Sequence, residues 1–165
     1  MQIRIRESGA VMYESEFRAL FPNTSMPQQL SEELLNEFGA DVVFEGPQAT
    51  GGTVYQYSQR DGVEQLDGKW YTKYILGPVF TDTTDDTGNV TSAADNEVAY
   101  KAQKDAEQAK SVRTTRDTKL AETDWRFRSD MTPSQGWKDY CQALRDVPTQ
   151  EGFPWTIVWP TQPTE

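Results

Sequence analysis

The chain contains no histidine. That absence removes Ser-His-Asp and Cys-His catalysis, His-ligated zinc or iron, and the usual general base near neutral pH. Its one cysteine, Cys141, has no partner for an internal disulfide, and a metal cluster held by two or four cysteines cannot form. No apolar run reaches the roughly 18 residues of a membrane-spanning helix. The opening Met1-Gln2-Ile3-Arg4-Ile5-Arg6 lacks the apolar stretch of a signal peptide. Bases are scarce too: 16 against 26 acids, a net charge of −10 over 165 residues. A nucleic-acid binder draws its affinity from neutralising phosphates, so the balance argues against one, and against an anionic membrane surface. The expectation is a soluble cytosolic protein that is not an enzyme.

What is present is modest but sufficient for a core. Hydrophobic residues make up 36% and aromatics 12%, in a length that suits one domain or two small ones. Charge is unevenly placed. Residues 1–80 hold 11 acids and 6 bases, residues 81–100 hold 5 acids and no base, and residues 101–165 hold 10 of each. The stretch from Thr81 to Ser92 lacks aromatics and is rich in Thr and Asp, too polar to offset its own ordering entropy. The expected organisation is an α+β module over 1–80, an acidic linker over 81–97 and a helical module over 98–165. No repeat with a period of roughly 20–50 residues is visible.

In the first module Gln2–Arg6 alternates in the manner of a half-buried strand, and Val11 and Met12 pair back after the Ser8-Gly9 turn. Glu14–Phe21 has helical spacing and ends at Pro22. Ser31 caps a second short helix that stops at Gly39, and Asp41–Phe44 reads as a buried strand. From Gly51 the period becomes two. A strand from Val54, a hairpin at Arg60-Asp61-Gly62, a short strand Val63–Leu66, a hairpin at Asp67-Gly68 and a third strand Lys69–Val79 are expected. The whole predicts a small antiparallel sheet with two short helices on one face.

In the second module Asn96 to about Trp125 contains no Gly or Pro and predicts a long helix. Its stripe of Ala99, Ala102, Ala106 and Ala109 buries little area, which leaves two readings: close packing against a copy of itself or a trimeric partner, or a solvent-exposed connecting helix held by ion pairs along its own face. Thr132-Pro133 opens a last helix whose Trp137, Tyr140, Cys141 and Leu144 fall at i, i+3, i+4 and i+7, completing a C-terminal helical hairpin. An aromatic, proline-punctuated tail follows, Gly152-Phe153-Pro154-Trp155-Thr156-Ile157-Val158-Trp159-Pro160.

Chemistry is hard to place on this chain. A glycosidase needs two carboxylates a few ångströms apart, one with a raised pKa, whereas most acids here lie in the linker or at helix starts. Asp82, Asp85, Asp86 and Asn89 lack the spacing and the terminal glutamate of an EF-hand. No catalytic, cofactor-binding or metal-ligating residue is assigned.

Arg113-x-x-Arg116-Asp117-x-x-Leu120-Ala-Glu-Thr-Asp124-Trp125 is followed by Trp137-x-x-Tyr140-x-x-x-Leu144-Arg145-Asp146-Val147-Pro148, then Gly152-Phe153-Pro154 and Trp159-Pro160. This ordered set, over roughly 110–161, resembles the C-terminal domain of phage tail assembly chaperone-like proteins. The connector Arg126-Phe-Arg-Ser-Asp-Met131 stands where the family often has an Asp- or Pro-rich segment. The resemblance implies a protein that helps assemble a phage tail fibre in the host cytoplasm and stays with the virion tail or leaves it. The second reading is a permanent virion component: a fibre-tip, adaptor or receptor-binding module. Tryptophan, tyrosine and arginine concentrate binding energy. The residues expected to meet the fibre protein are therefore Trp125, Trp137, Tyr140, Arg145, Phe153, Trp155 and Trp159, with Arg145, Trp155 and Trp159 as anchors; the competing reading makes the tryptophans the hairpin's own core. A competing surface is the sheet edge at Val54–Tyr57, which could add to a partner's β-structure.

Overall fold

The computed structural model describes residues 1–164. Its contacts divide the chain into two compact units, Met1–Val79 and a second from Phe80 onward. The fold is α+β.

The first unit starts with β1 (Gln2–Ile5), which pairs antiparallel with β2 (Val11–Tyr13). α1 (Glu14–Ala19) follows at once, and the Glu16 carboxylate accepts the Tyr13 backbone N–H at 2.7 Å at its start. The Arg18 guanidinium donates to Glu14 and to the carbonyls of Pro27 and Gln28, which ties down the loop after Pro22. α2 (Glu32–Glu37) is capped as expected, with Ser31 Oγ accepting from the Leu34 N–H at 3.2 Å. Phe17 and Leu35 bring these helices onto one face of the sheet, where they bury Ile3 and Ala40.

β3 (Ala40–Phe44), β4 (Tyr57–Leu66) and β5 (Lys69–Gly77) complete a five-stranded sheet in the order β2-β1-β3-β5-β4. The sheet is mixed where the sequence predicts it antiparallel, because β5 lies parallel to β3. The cause is polarity. β5 carries Trp70, Tyr71, Ile75 and Leu76 and takes the inner position, while β4, with Gln59, Arg60, Asp61, Glu64 and Gln65, is left at the solvated edge. The β3–β5 junction needs Gly46: a Cβ there would stand 2.0 Å from the Thr72 carbonyl oxygen. Two further expectations are corrected. Arg60-Asp61-Gly62 is a bulge inside a continuous β4, with Gly62 at φ +75°, and the hairpin turn is Asp67-Gly68 alone. The edge strand begins at Tyr57, not Val54, because Thr53–Gln56 closes a turn through the Gln56 N–H and the Thr53 carbonyl at 3.0 Å.

In the second unit, residues 81–97 are not an unstructured linker. β6 (Thr83–Thr84) and β7 (Val90–Thr91) form a small hairpin around Asp85, whose carboxylate accepts from the N–H groups of Thr87 and Asn89 at 2.9 Å each. Asp82 accepts the Ala93 N–H at 2.7 Å, and Asn96 Nδ2 donates to the Thr81 carbonyl at 2.9 Å. These bonds fasten the hairpin to α3 (Ala93–Ala121), so the long helix starts at the Ser92 cap and stops before Trp125. A single 3-10 turn (Asp124–Phe127) and a loop lead to α4 (Gln135–Asp146). Its N-cap is Ser134 rather than Thr132, because Ser134 keeps extended backbone (ψ 162°) and the Gln135 side chain bonds Asp139 instead.

Candidate docking surface

α4 buries the four side chains that its spacing aligns: Trp137, Tyr140, Cys141 and Leu144. Leu120 of α3 and Trp159 of the tail pack against them. Trp137 and Tyr140 meet edge to face, with centroids 5.8 Å apart. Burial, and then the nearby Glu122 charge, push the Tyr140 hydroxyl above its ordinary pKa. Cys141 Sγ lies 3.3 Å from Thr123 Oγ1, with both residues buried. Cys141 therefore behaves as a small core residue, as expected. Trp137 and Tyr140, expected to touch a partner, are buried within their own unit.

The tail forms a strap along α3. Gln150 closes it like a clamp, donating from Nε2 to the Val158 carbonyl at 2.8 Å and accepting the Val158 N–H at 2.9 Å. The Trp155 indole N–H donates to Asp105 Oδ1 at 2.6 Å, fifty residues away in sequence. The Phe153 ring lies 5.3 Å from the Arg113 guanidinium, and the Trp159 ring lies 5.7 Å from the Lys119 ammonium. Phe153, Trp155 and Trp159 are half-buried, so each spends one face on its own unit, while Arg145 is exposed on α4. Of the expected alanine stripe, Ala109 is buried and Ala99, Ala102 and Ala106 stay exposed.

Trp125 is placed differently. It stands on the connector between α3 and α4, 44% exposed, with Phe127 at 43% and Met131 at 45%. The Arg126 guanidinium carbon lies over both indoles, 4.3 Å from the Trp125 centroid and 3.8 Å from that of Trp137. Phe127 and Met131 escaped sequence reasoning, which weighed Trp, Tyr and Arg and looked for helical spacing that a connector does not have.

Residues 109–164 match the family model described as phage tail assembly chaperone protein. The C-terminal segment is phage tail assembly chaperone-like. No curated protein and no solved structure matches the chain. The chaperone-like segment begins inside α3 at Ala109 and includes the connector, α4 and the strap, so every expected contact residue from Trp125 to Trp159 falls within it. The match supports a role in phage tail assembly, and residues 1–108 lie outside it.

Proposed function

We propose that the protein assists assembly of a phage tail fibre by binding the fibre protein through its C-terminal unit, without chemistry of its own. The observation that carries this reading is the chaperone family match over 109–164, the region that holds four of the five tryptophans. The exposed connector aromatics and Arg145 suit a protein partner, because Trp and Arg are the side chains in which binding energy concentrates. The partner is a trimeric fibre, met in the host cytoplasm, and the protein either leaves on maturation or stays in the virion tail. Self-association along the exposed alanines of α3 is the second contact proposed.

Co-expression of the fibre protein with and without this chain tests the reading. Soluble trimeric fibre only in its presence, and a complex that survives purification, is the expected result. Soluble, functional fibre in its absence would sink the chaperone role. Mass spectrometry of purified particles then separates transient from retained protein.

A further inference from the structure

We infer that a notch in the first unit, beside the start of β3, takes one short extended segment of the fibre protein as an added strand. The inference rests on the proposed assembly role for the identity of that chain, and it adds a contact in the unit that lies outside the family match. The notch follows from the ladders on either side of β3. β3 pairs with β1 from Ala40 to Val43, but with β5 only from Val43 onward, opposite Trp70. Along an antiparallel pair the hydrogen bonds fall on alternate residues. The Arg6 N–H bonds the Gly39 carbonyl at 2.9 Å, so the next bonded pairs are Arg4 with Asp41 and Gln2 with Val43. The main-chain groups of Ala40 and Val42 therefore point away from β1, toward the side of β5. The first rung to Trp70 takes the Val42 carbonyl. The Ala40 N–H and carbonyl and the Val42 N–H have no partner among the described residues, because β5 does not begin until Lys69. Ala40 is only 1% exposed, so little bulk water reaches these groups in place of a partner.

A cavity of about 220 Å³ opens at this place. Ala40 and Val42 line one side, Gly68 and Lys69 at the head of β5 another, and Glu32 and Asn36 of α2 a third. Donors and acceptors spaced along one strand are complemented by the main chain of a second strand, which supplies both in the same alternation. The unpaired stretch from Ala40 to Val42 covers about 7 Å at roughly 3.3 Å per residue, room for two or three residues of extended chain. α2 and the β4–β5 turn wall the notch, so what enters is a slender loop or chain end and not the edge of another folded sheet. Its charge is balanced: Lys69 and Glu32 bring one of each sign, and Arg6 and Asp41 neutralise each other across 2.7 Å. The occupant is therefore recognised by its extended backbone and carries no required charge.

The test uses the full chain and the co-expressed fibre protein of the same phage, with binding measured by calorimetry and amide hydrogen exchange read residue by residue. In the free chain the amides of Ala40 and Val42 should exchange about tenfold or more faster than those of Asp41 and Val43, which serve β1. In the complex the same two amides should slow by about tenfold or more, to the level of their neighbours. Val42→Pro removes a donor that the unit itself does not use, so the fold should survive while binding weakens about tenfold. Asn36→Trp fills the mouth of the notch from the exposed side of α2, leaves β3 unchanged, and should weaken binding to a similar extent. Slow exchange at Ala40 and Val42 in the free chain means that the notch is already closed and overturns the proposal. A complex in which both amides stay fast, or binding unchanged in Asn36→Trp, overturns it as well and leaves the assembly role standing. If the two amides slow as the concentration of the chain alone is raised, the occupant is a second copy and the proposal is wrong. A chain that binds no fibre protein brings down the assembly role itself, and the added strand with it.

Discussion

In the first unit apolar side chains meet between layers: Ile3 and Ala40 from the sheet, Phe17 and Leu35 from the helices, with Phe21 and Phe38 closing the rim. The second unit has no second layer. Its core is one face of the twelve-residue α4 with Leu120 and a strap with almost no regular structure, and Ala109, Val112 and Val147 are buried as well. A sheet with two helices gives its core a second layer to close against, whereas a helix pair of this size must close against its own tail. The remainder shows as cation–aromatic contacts at the strap and as three large apolar groups left open at the connector. Both units still leave large apolar side chains open, Tyr13, Leu20 and Tyr57 in the first and Trp125, Phe127 and Met131 in the second, so the contrast lies in how each core is closed.

The largest effects should come from the two cores, and their difference sharpens the contrast. Phe17 and Leu144 are both fully buried. Phe17→Ala is expected to cost about 4 kcal/mol, in the range for a large aromatic lost from a packed core. Leu144→Ala should cost about 2 kcal/mol, at the low end for leucine, because a thin unit can collapse around the gap. Hydrogen exchange at β1 and α4 amides reads each locally. Equal costs would mean that the second unit is packed as tightly as the first. Next comes Gly46→Ala, where the added Cβ meets backbone at 2.0 Å and cannot be accommodated by a side-chain rotation. A loss of about 1–3 kcal/mol is expected, in the range for overpacking, with the faster exchange confined to β3 and β5.

A smaller effect separates strap from core. Trp155→Phe keeps an aromatic ring but removes the N–H donor to Asp105. A hydrogen bond to a charged group at a half-exposed site is worth about 1 kcal/mol after solvent screening. Protection should fall across 150–158 while α4 stays unchanged. Loss of α4 protection as well would show that strap and core are one cooperative element.

What the sequence made legible follows from how local each signal is. The cap at Ser31, the turn at Asp67-Gly68, and the face of Trp137, Tyr140, Cys141 and Leu144 are set by near neighbours along the chain, and they are readable. The parallel placement of β5 is not, since it depends on a competition between two strands for the inner position. The bulge at Arg60 and Val63 shares its Asp-Gly signature with a hairpin, and only the partner strand distinguishes them. Within the second unit, tryptophan density along the sequence cannot separate Trp137, which is buried, from Trp125, which is left exposed. The Trp155–Asp105 bond spans fifty residues and leaves no trace in any local pattern.

The smallest effect concerns residues 81–97, where an acidic, polar stretch nonetheless holds a defined shape. Asp85 accepts from the hydroxyl and N–H of Thr87 and from the N–H and side-chain amide of Asn89. Those bonds favour the ionised carboxylate, and they lower its pKa from the ordinary 3.8 to about 2, with the Thr87 hydroxyl the largest cause. Because the folded value lies below the unfolded one, the contribution is fully present above about pH 4 and fades as pH falls through about 2. The hairpin should therefore be insensitive between roughly pH 5 and 7 and lose amide protection at Thr87 and Asn89 only below about pH 4. Asp85→Asn keeps the shape of the side chain but removes its charge. It should loosen the same two amides at neutral pH and flatten their acid response, while Phe17 and Leu144 report no change. Nuclear magnetic resonance of those amides over a pH series decides it. If the hairpin melted near neutral pH in the wild type, the hydrogen bonds around Asp85 would not favour its ionised form. The ordering of this stretch would then have to come from its attachment to α3, through Asp82 and Asn96, alone.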